Sequence, residues 1–267
     1  MRYAGGAGRW RPRGVLCAAM VCALLGQSAP AATRSLDMIR ARGALNLCAH
    51  PNSLPYASKT ADPPGFQVEL GRSLATELGV SLAMEWIVVP SQVFRADCDI
   101  VLDAIADPEA QTDTGLRLSK PYYSVGVALA VPRGSALTGF TALDGRTRVG
   151  VLVGSVAAWL LNQRHVPTST FGFEEDVLGA LAAGEIDAGA VNPVSVGYFN
   201  MIHPARPFTI LPPGEAERAL VWNEAVGMRQ PDDKLREAID EALDRLRADG
   251  SLDKIYGNYG FSLPPPR

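Results

Sequence analysis

The chain has 267 residues, 47% of them apolar, enough for one large domain or for two lobes with cores of their own. Its formal charge is −3; with an N-terminal leader removed, 25 basic residues less four leader arginines stand against 28 acids, which leaves −7. No basic stripe remains to follow a phosphate backbone, so a nucleic-acid-binding class is excluded.

The leader is read from Arg2, Arg9, Arg11 and Arg13, the apolar run from Gly14 to Gly26, and Ala29 and Ala31 in A-x-A spacing. This is the pattern of a secretory signal, too short to span a bilayer, with cleavage expected after Ala31. Cys17 follows Leu16 and Cys22 follows Val21, where a lipid-attachment site needs a small residue, so neither a lipid anchor nor membrane insertion is expected. Cys48 and Cys98 survive the cleavage. In an oxidising compartment they form either a Cys48–Cys98 disulfide between neighbouring strands, the favoured reading, or two buried thiols acting as small hydrophobes.

In chain order, a short helix over Ser35 to Arg42 leads into an apolar strand at Ala44 to Cys48, which breaks into the loop His50 to Tyr56. Loops at such strand ends are where open α/β sheets bind ligands. Gly65 to Gly79 carries Val68, Gly71, Leu74, Ala75 and Leu78 at helical spacing, and Val80 to Trp86 alternates as a strand, so a βαβ unit opens the fold. The next apolar run, Ile100 to Leu102, comes after only Pro90 to Asp99, room for little more than one turn where a full crossover helix belongs. One face of the first sheet is therefore expected to lack a cover, as partner surfaces do.

Asp103 to Thr114 reads as a second pocket loop, and Val125 to Val131 as a further strand after Pro121-Tyr122-Tyr123. A second α/β pattern starts at Arg148 to Val153, turns at Gly154-Ser155 and continues as a helix from Val156; Ser155 either faces an anion there or caps the helix. A helix over Glu174 to Ala183, a strand over Ile186 to Val191, a helix opened by Asn192-Pro193 and a strand near Phe208 to Leu211 follow. Ala225 to Met228 is again apolar, and Asp232 to Ala248 is a long helix with Leu235, Ile239, Leu243 and Leu246 on one face. The tail Leu263 to Arg267 is expected to be disordered. His50, His165 and His203 show no ligand spacing, so no metal is expected, and no cofactor.

Gly65-Phe66-Gln67-Val68-Glu69-Leu70, Lys120-Pro-Tyr-Tyr123, Arg148-Val-Gly-Val151 with Gly154-Ser155, Leu181 to Ala188 and Asp249-Gly250-Ser251 with Lys254-Ile-Tyr256 resemble, in this order, extracellular solute-binding proteins of family 3. The resemblance implies a two-lobed α/β periplasmic binding protein fold (type II), with lobe 1 at 34–124 and 227–267, lobe 2 at 125–226, and hinge crossings near 124–128 and 222–227. It implies a monomeric periplasmic receptor, not an enzyme, that hands a small solute to an ABC permease. Asn52, Tyr56, Asp103, Asp107, Tyr122, Ser155 and Asn192 are the residues expected to hold that solute.

Amino-acid receptors of this family place an arginine just after a Thr-Pro-Glu segment and an aspartate in the second lobe; here the matching residues are Asp107-Pro108-Glu109-Ala110-Gln111 and Asn192. An ordinary α-amino acid is thus not the expected ligand. Cys48 to Tyr56 and Cys98-Asp-Ile-Val101 further resemble the branch of the family found with PQQ-dependent alcohol and methanol dehydrogenases, which adds such an enzyme as a candidate partner, served by delivery of a solute or by direct docking. Dehydratase chemistry, known in a few relatives, finds no nucleophile and base pair here.

Overall fold

The computed structural model describes residues 34–107, 115–262 and 264–267. The leader and the segment 108–114, and with them the expectations placed on both, lie outside the described residues. The elements run α1 (Leu36–Arg42), β1 (Ala44–Ala49), β2 (Asn52–Ser53), β3 (Ala57–Ser58), α2 (Phe66–Glu77), β4 (Ser81–Trp86), a 3-10 turn at Pro90–Phe94, β5 (Ile100–Ile105), β6 (Leu116–Leu118) and β7 (Tyr123–Gly126). They continue with β8 (Ala128–Pro132), β9 (Val149–Leu152), α3 (Val156–Gln163), β10 (Thr168–Phe171), α4 (Glu174–Ala183), β11 (Ala188–Val191), α5 (Pro193–Ile202) and β12 (Phe208–Leu211). The chain closes with β13 (Val221–Arg229), α6 (Asp233–Ala248) and α7 (Ser251–Gly257).

Two sheets carry the architecture. In the first, β4, β1 and β5 are parallel, and the long β13 runs antiparallel to β5, β6 and β7. In the second, the order is β10-β9-β11-β8-β12, with β10, β9 and β11 parallel. The chain leaves the first sheet at Val127, between β7 and β8, and returns through β13. The helices of the first sheet gather on one face, where Leu45 and Leu47 of β1 meet Leu70 and Leu74 of α2 and Leu235, Ile239 and Leu243 of α6 in a single apolar core. The second sheet is covered on both faces, by α3 on one and by α4 and α5 on the other.

The other face of the first sheet is thinly covered, as the short crossover predicts. Among the described residues only a small cluster sits there, Cys48, Val93 and Cys98 with Ile87, Ala96, Val101 and Leu116 around them. Cys48 and Cys98 are bonded, with their Cα atoms 5.5 Å apart, so the chain joining β1 to β5 is closed at its base. Among the described residues no helix is long and apolar enough to cross a membrane.

Three expectations change. The strand after Asp99 does not stop at Leu102 but runs to Ile105, so Asp103 lies within β5 rather than in a loop. Thr168–Phe171 is a strand that sequence periodicity missed, because its residues are polar and mostly exposed on both sides. The tail is not loose: the Ser124 N–H donates to the Pro264 carbonyl at 3.0 Å, and Asn223 exchanges two hydrogen bonds with Arg267. Prolines suit that place, because an edge strand with free donors needs only their carbonyls.

Candidate functional site

A cavity of about 930 Å³ opens between the two sheets. Its first wall is the carboxyl end of β1 with the loop behind it (Ala49, His50, Asn52, Tyr56), Gln67 at the start of α2, and Val101 to Ile105 of β5. Its second wall is Leu152 at the end of β9, Gly172 and Phe173 between β10 and α4, Glu174 and Glu175 at the start of α4, and Ser195 of α5. The two walls touch: the His50 and Phe173 rings lie 6.0 Å apart, and the Tyr56 hydroxyl donates to Glu174 Oε2 at 3.4 Å.

Local folding places the first wall. The loop carrying Tyr56 is pinned to the start of α2, where the N–H groups of Phe66 and Gln67 donate to the carbonyls of Pro55 and Tyr56, each at 2.9 Å. Gly65 makes this close approach possible: its φ is +103°, and a Cβ there would stand 2.4 Å from the Tyr56 carbonyl oxygen. Asp103 also has a left-handed backbone, φ 56°, a conformation that Asp tolerates better than most residues. Its carboxylate accepts from Gln67 Nε2 at 2.6 Å, from the Tyr123 hydroxyl at 3.1 Å and from the Tyr122 hydroxyl. All three donors are neutral.

On the second wall Glu174 opens α4, and its Oε1 accepts the Asn192 backbone N–H at 2.8 Å while Oε2 takes the hydroxyls of Ser195 and Tyr56. Here too every donor is neutral. Burial raises the pKa of both carboxyls, and in each case the hydrogen bonds oppose part of that rise. Behind Asp103 lies a third buried carboxyl, Glu224 of β13. Desolvation, then the charge of Asp103, lifts it to about 9. Asp103, with its three donors, is the better stabilised anion of this pair. No lysine or arginine lines the cavity among the described residues.

The structure sorts the sequence-derived residues. Asn52, Tyr56 and Asp103 line the cavity. Tyr122 stands behind the wall as a donor to Asp103. Asp107 is exposed and outside the lining. Ser155 and Asn192 are outside it as well, because each spends its side-chain oxygen as a helix N-cap, on Ala158 N–H at 3.1 Å and Val194 N–H at 3.0 Å. Sequence reasoning missed Glu174, Gln67, Phe173 and Ser195. Glu174 was hidden because β10 was: once Thr168–Phe171 is a strand, Gly172 to Glu174 is a loop at a strand's carboxyl end, the position that marked Asn52 and Tyr56.

Comparison with known proteins gives the family and the fold. The bacterial extracellular solute-binding proteins, family 3, match residues 45–262. The histidine-binding periplasmic protein of Salmonella typhimurium is 23% identical over 221 residues, spanning 78% of this chain and 84% of that protein. The lysine/arginine/ornithine-binding periplasmic protein of Escherichia coli is 27% identical over 221 residues, spanning 77% and 83%. Among solved structures, an ancestral cationic amino acid solute binding protein superposes with a TM-score of 0.73 at 20% identity, over 85% of this chain and 99% of that one, and so shares the two-lobed fold.

Proposed function

Because the chain belongs to the bacterial extracellular solute-binding proteins of family 3, we propose that it is a periplasmic receptor that closes its two sheets on a small solute carrying a positive charge and delivers it to an ABC permease. One observation carries this reading: Asp103 and Glu174 present a carboxylate from each side of one cavity, and neither is paired with a lysine or arginine among the described residues. A carboxylate held by neutral donors keeps its net charge, and a ligand cation supplies the missing countercharge. The connections at Val127 and before β13 act as the hinge. The named relatives bind histidine or lysine, arginine and ornithine, cationic side chains in the second case, which supports the sign of the charge. None of them is associated by name with a dehydrogenase, so the receptor role stands without that partner.

The test is thermal denaturation of the refolded mature protein with L-lysine, L-arginine, 2-phenylethylamine, L-glutamate and inorganic phosphate. A ligand at a hundred times its Kd stabilises by about 2.7 kcal/mol. Cations are expected to raise Tm and the two anions to leave it unchanged; a shift with glutamate or phosphate and none with any cation refutes the reading.

A further inference from the structure

We infer that the ligand of this cleft is an amphiphilic amine without a carboxylate, its ammonium between Asp103 and Glu174 and its hydrocarbon body on the thinly covered face of the first sheet. This rests on the receptor reading above and narrows it to a substrate class.

A ligand carboxylate finds no cationic partner among the described residues here. Among the described residues the lining holds no lysine or arginine, and the sequence of residues 108–114, which follow β5, contains neither. His50 is partly committed elsewhere, its Nδ1 accepting the Asn52 N–H at 3.2 Å. Helix N-termini, the usual alternative for anions, are engaged at α2 and capped or acidic at the others. The first four N–H groups of α2 go to Pro55, Tyr56 and Gly65 carbonyls. Asn192 caps α5, Ser155 caps α3, and α4 opens with Glu174, Glu175 and Asp176, which cancel the positive end of its dipole. A zwitterionic amino acid entering this cavity gains on its ammonium and loses on its carboxylate, which must shed water beside two carboxylates.

The hydrocarbon part has a place waiting. Ile87, Val88, Val89, Val93, Val101 and Leu116 line the end of the cavity that lies against the thinly covered sheet face. Val88 is 63% exposed and Val89 48%, far more than β-branched residues beside a sheet usually are. Phe173, 48% exposed and next to Glu174, adds an aromatic face at the charged end. The volume, about 930 Å³, is near the top of the roughly 300–1,000 Å³ range of small-molecule sites, more than a compact polar solute fills.

The test is isothermal titration of the refolded mature protein with 2-phenylethylamine and L-phenylalanine, which share a body and differ by the carboxylate, with L-arginine as the reference cation and an n-alkylamine series from butyl to octyl. Phenylethylamine is expected to bind roughly tenfold or more tighter than phenylalanine and arginine, and to lose roughly tenfold or more in E174Q. Affinity along the alkylamines should rise about fourfold per methylene. That series needs no variant and decides the matter if E174Q does not fold. Phenylalanine or arginine binding as tightly as the amine, or a flat alkylamine series, overturns the inference and leaves the receptor reading intact. If no probe binds, the inference falls, and native mass spectrometry of protein taken gently from the periplasm decides the receptor reading: a small-molecule mass lost on denaturation retains it, and its absence removes it.

Discussion

Replacing Glu224 by Gln should flatten the dependence of stability on pH. Glu224 is 5% exposed; its Oε1 accepts the Trp222 indole N–H at 2.7 Å, and its Oε2 has no hydrogen-bond partner among the described residues. Burial first, and the Asp103 charge second, push its pKa from the ordinary 4.5 to about 9. Below pH 4.5 the carboxyl is protonated in folded and unfolded chains alike, and stability is indifferent to it. Between that value and about 9 the unfolded chain releases a proton that the folded chain keeps, so each unit of rising pH favours unfolding by about 1.4 kcal/mol. The stability linked to this proton is full at low pH and is lost as pH climbs through the window. At pH 7 the loss is at most about 3 kcal/mol, a ceiling because Asp103 shares the titration. Gln fixes the neutral form, with its oxygen still accepting from Trp222. Circular dichroism melts from pH 4.5 to 9 should show a wild-type Tm falling against that of E224Q by up to about 10 °C by pH 7. A constant offset from the amide shifts the curves vertically and leaves the slope as the readout. Parallel curves would refute the reasoning.

Acidification should weaken binding of a cationic solute before the ordinary carboxylate range is reached, because burial raises Asp103 and Glu174 and their protonation removes the charge the ligand answers; titrations from pH 8 to pH 5 check this, and an affinity unchanged over that span counts against it. Arg42→Ala should cost about 3 kcal/mol in urea unfolding, since it strips the fully buried Asp99 carboxylate of its closer cation and leaves Arg34 at 3.7 Å; adding Asp99→Asn should recover most of that. Cys48→Ser with Cys98→Ser releases a closure spanning 50 residues, worth about 4 kcal/mol in the chain-entropy model, and a loss under about 1 kcal/mol would show the bridge to be idle. Gly65→Ala should lower both Tm and ligand affinity, because its Cβ displaces the backbone that carries Tyr56; unchanged affinity would mean that Tyr56 does not help close the cleft.

Most of the fold was legible because its elements declare themselves locally. The stripe on α6, the βαβ pattern from Ala44 to Trp86, and the helix over Glu174–Ala183 all depend on residues within a turn or two of one another. What stayed hidden depends on distant partners. Thr168–Phe171 becomes a strand only because β9 offers it a parallel edge, and the proline tail is held because Ser124 and Asn223 lie beside it, 140 and 44 residues from the groups they bind. The site divides in the same way. Tyr56 and Asp103 follow from strand-end logic, whereas Glu174 requires knowing that β10 exists. The sequence leaves Ser155 as an anion site or a cap and marks Asn192 for the solute, and the hydrogen bonds of both side chains are those of caps.

The short connection between β4 and β5 links the disulfide to the ligand class. A parallel crossover is normally a helix packed on the sheet, and that helix both covers the face and limits where its two strands can drift. With only a 3-10 turn at Pro90–Phe94, neither task is done by packing. The Cys48–Cys98 bond takes over the second task, tying β1 to the residue two places before β5. Nothing among the described residues takes over the first, so Val88, Val89 and Val101 face the cavity that a helix would otherwise have filled. Apolar area left open beside two uncompensated carboxylates is costly in an empty receptor, at about 25 cal/mol per Å² for the apolar part alone. One ligand relieves both costs, a cation joined to a hydrocarbon, and a ligand offering either half alone leaves the other standing.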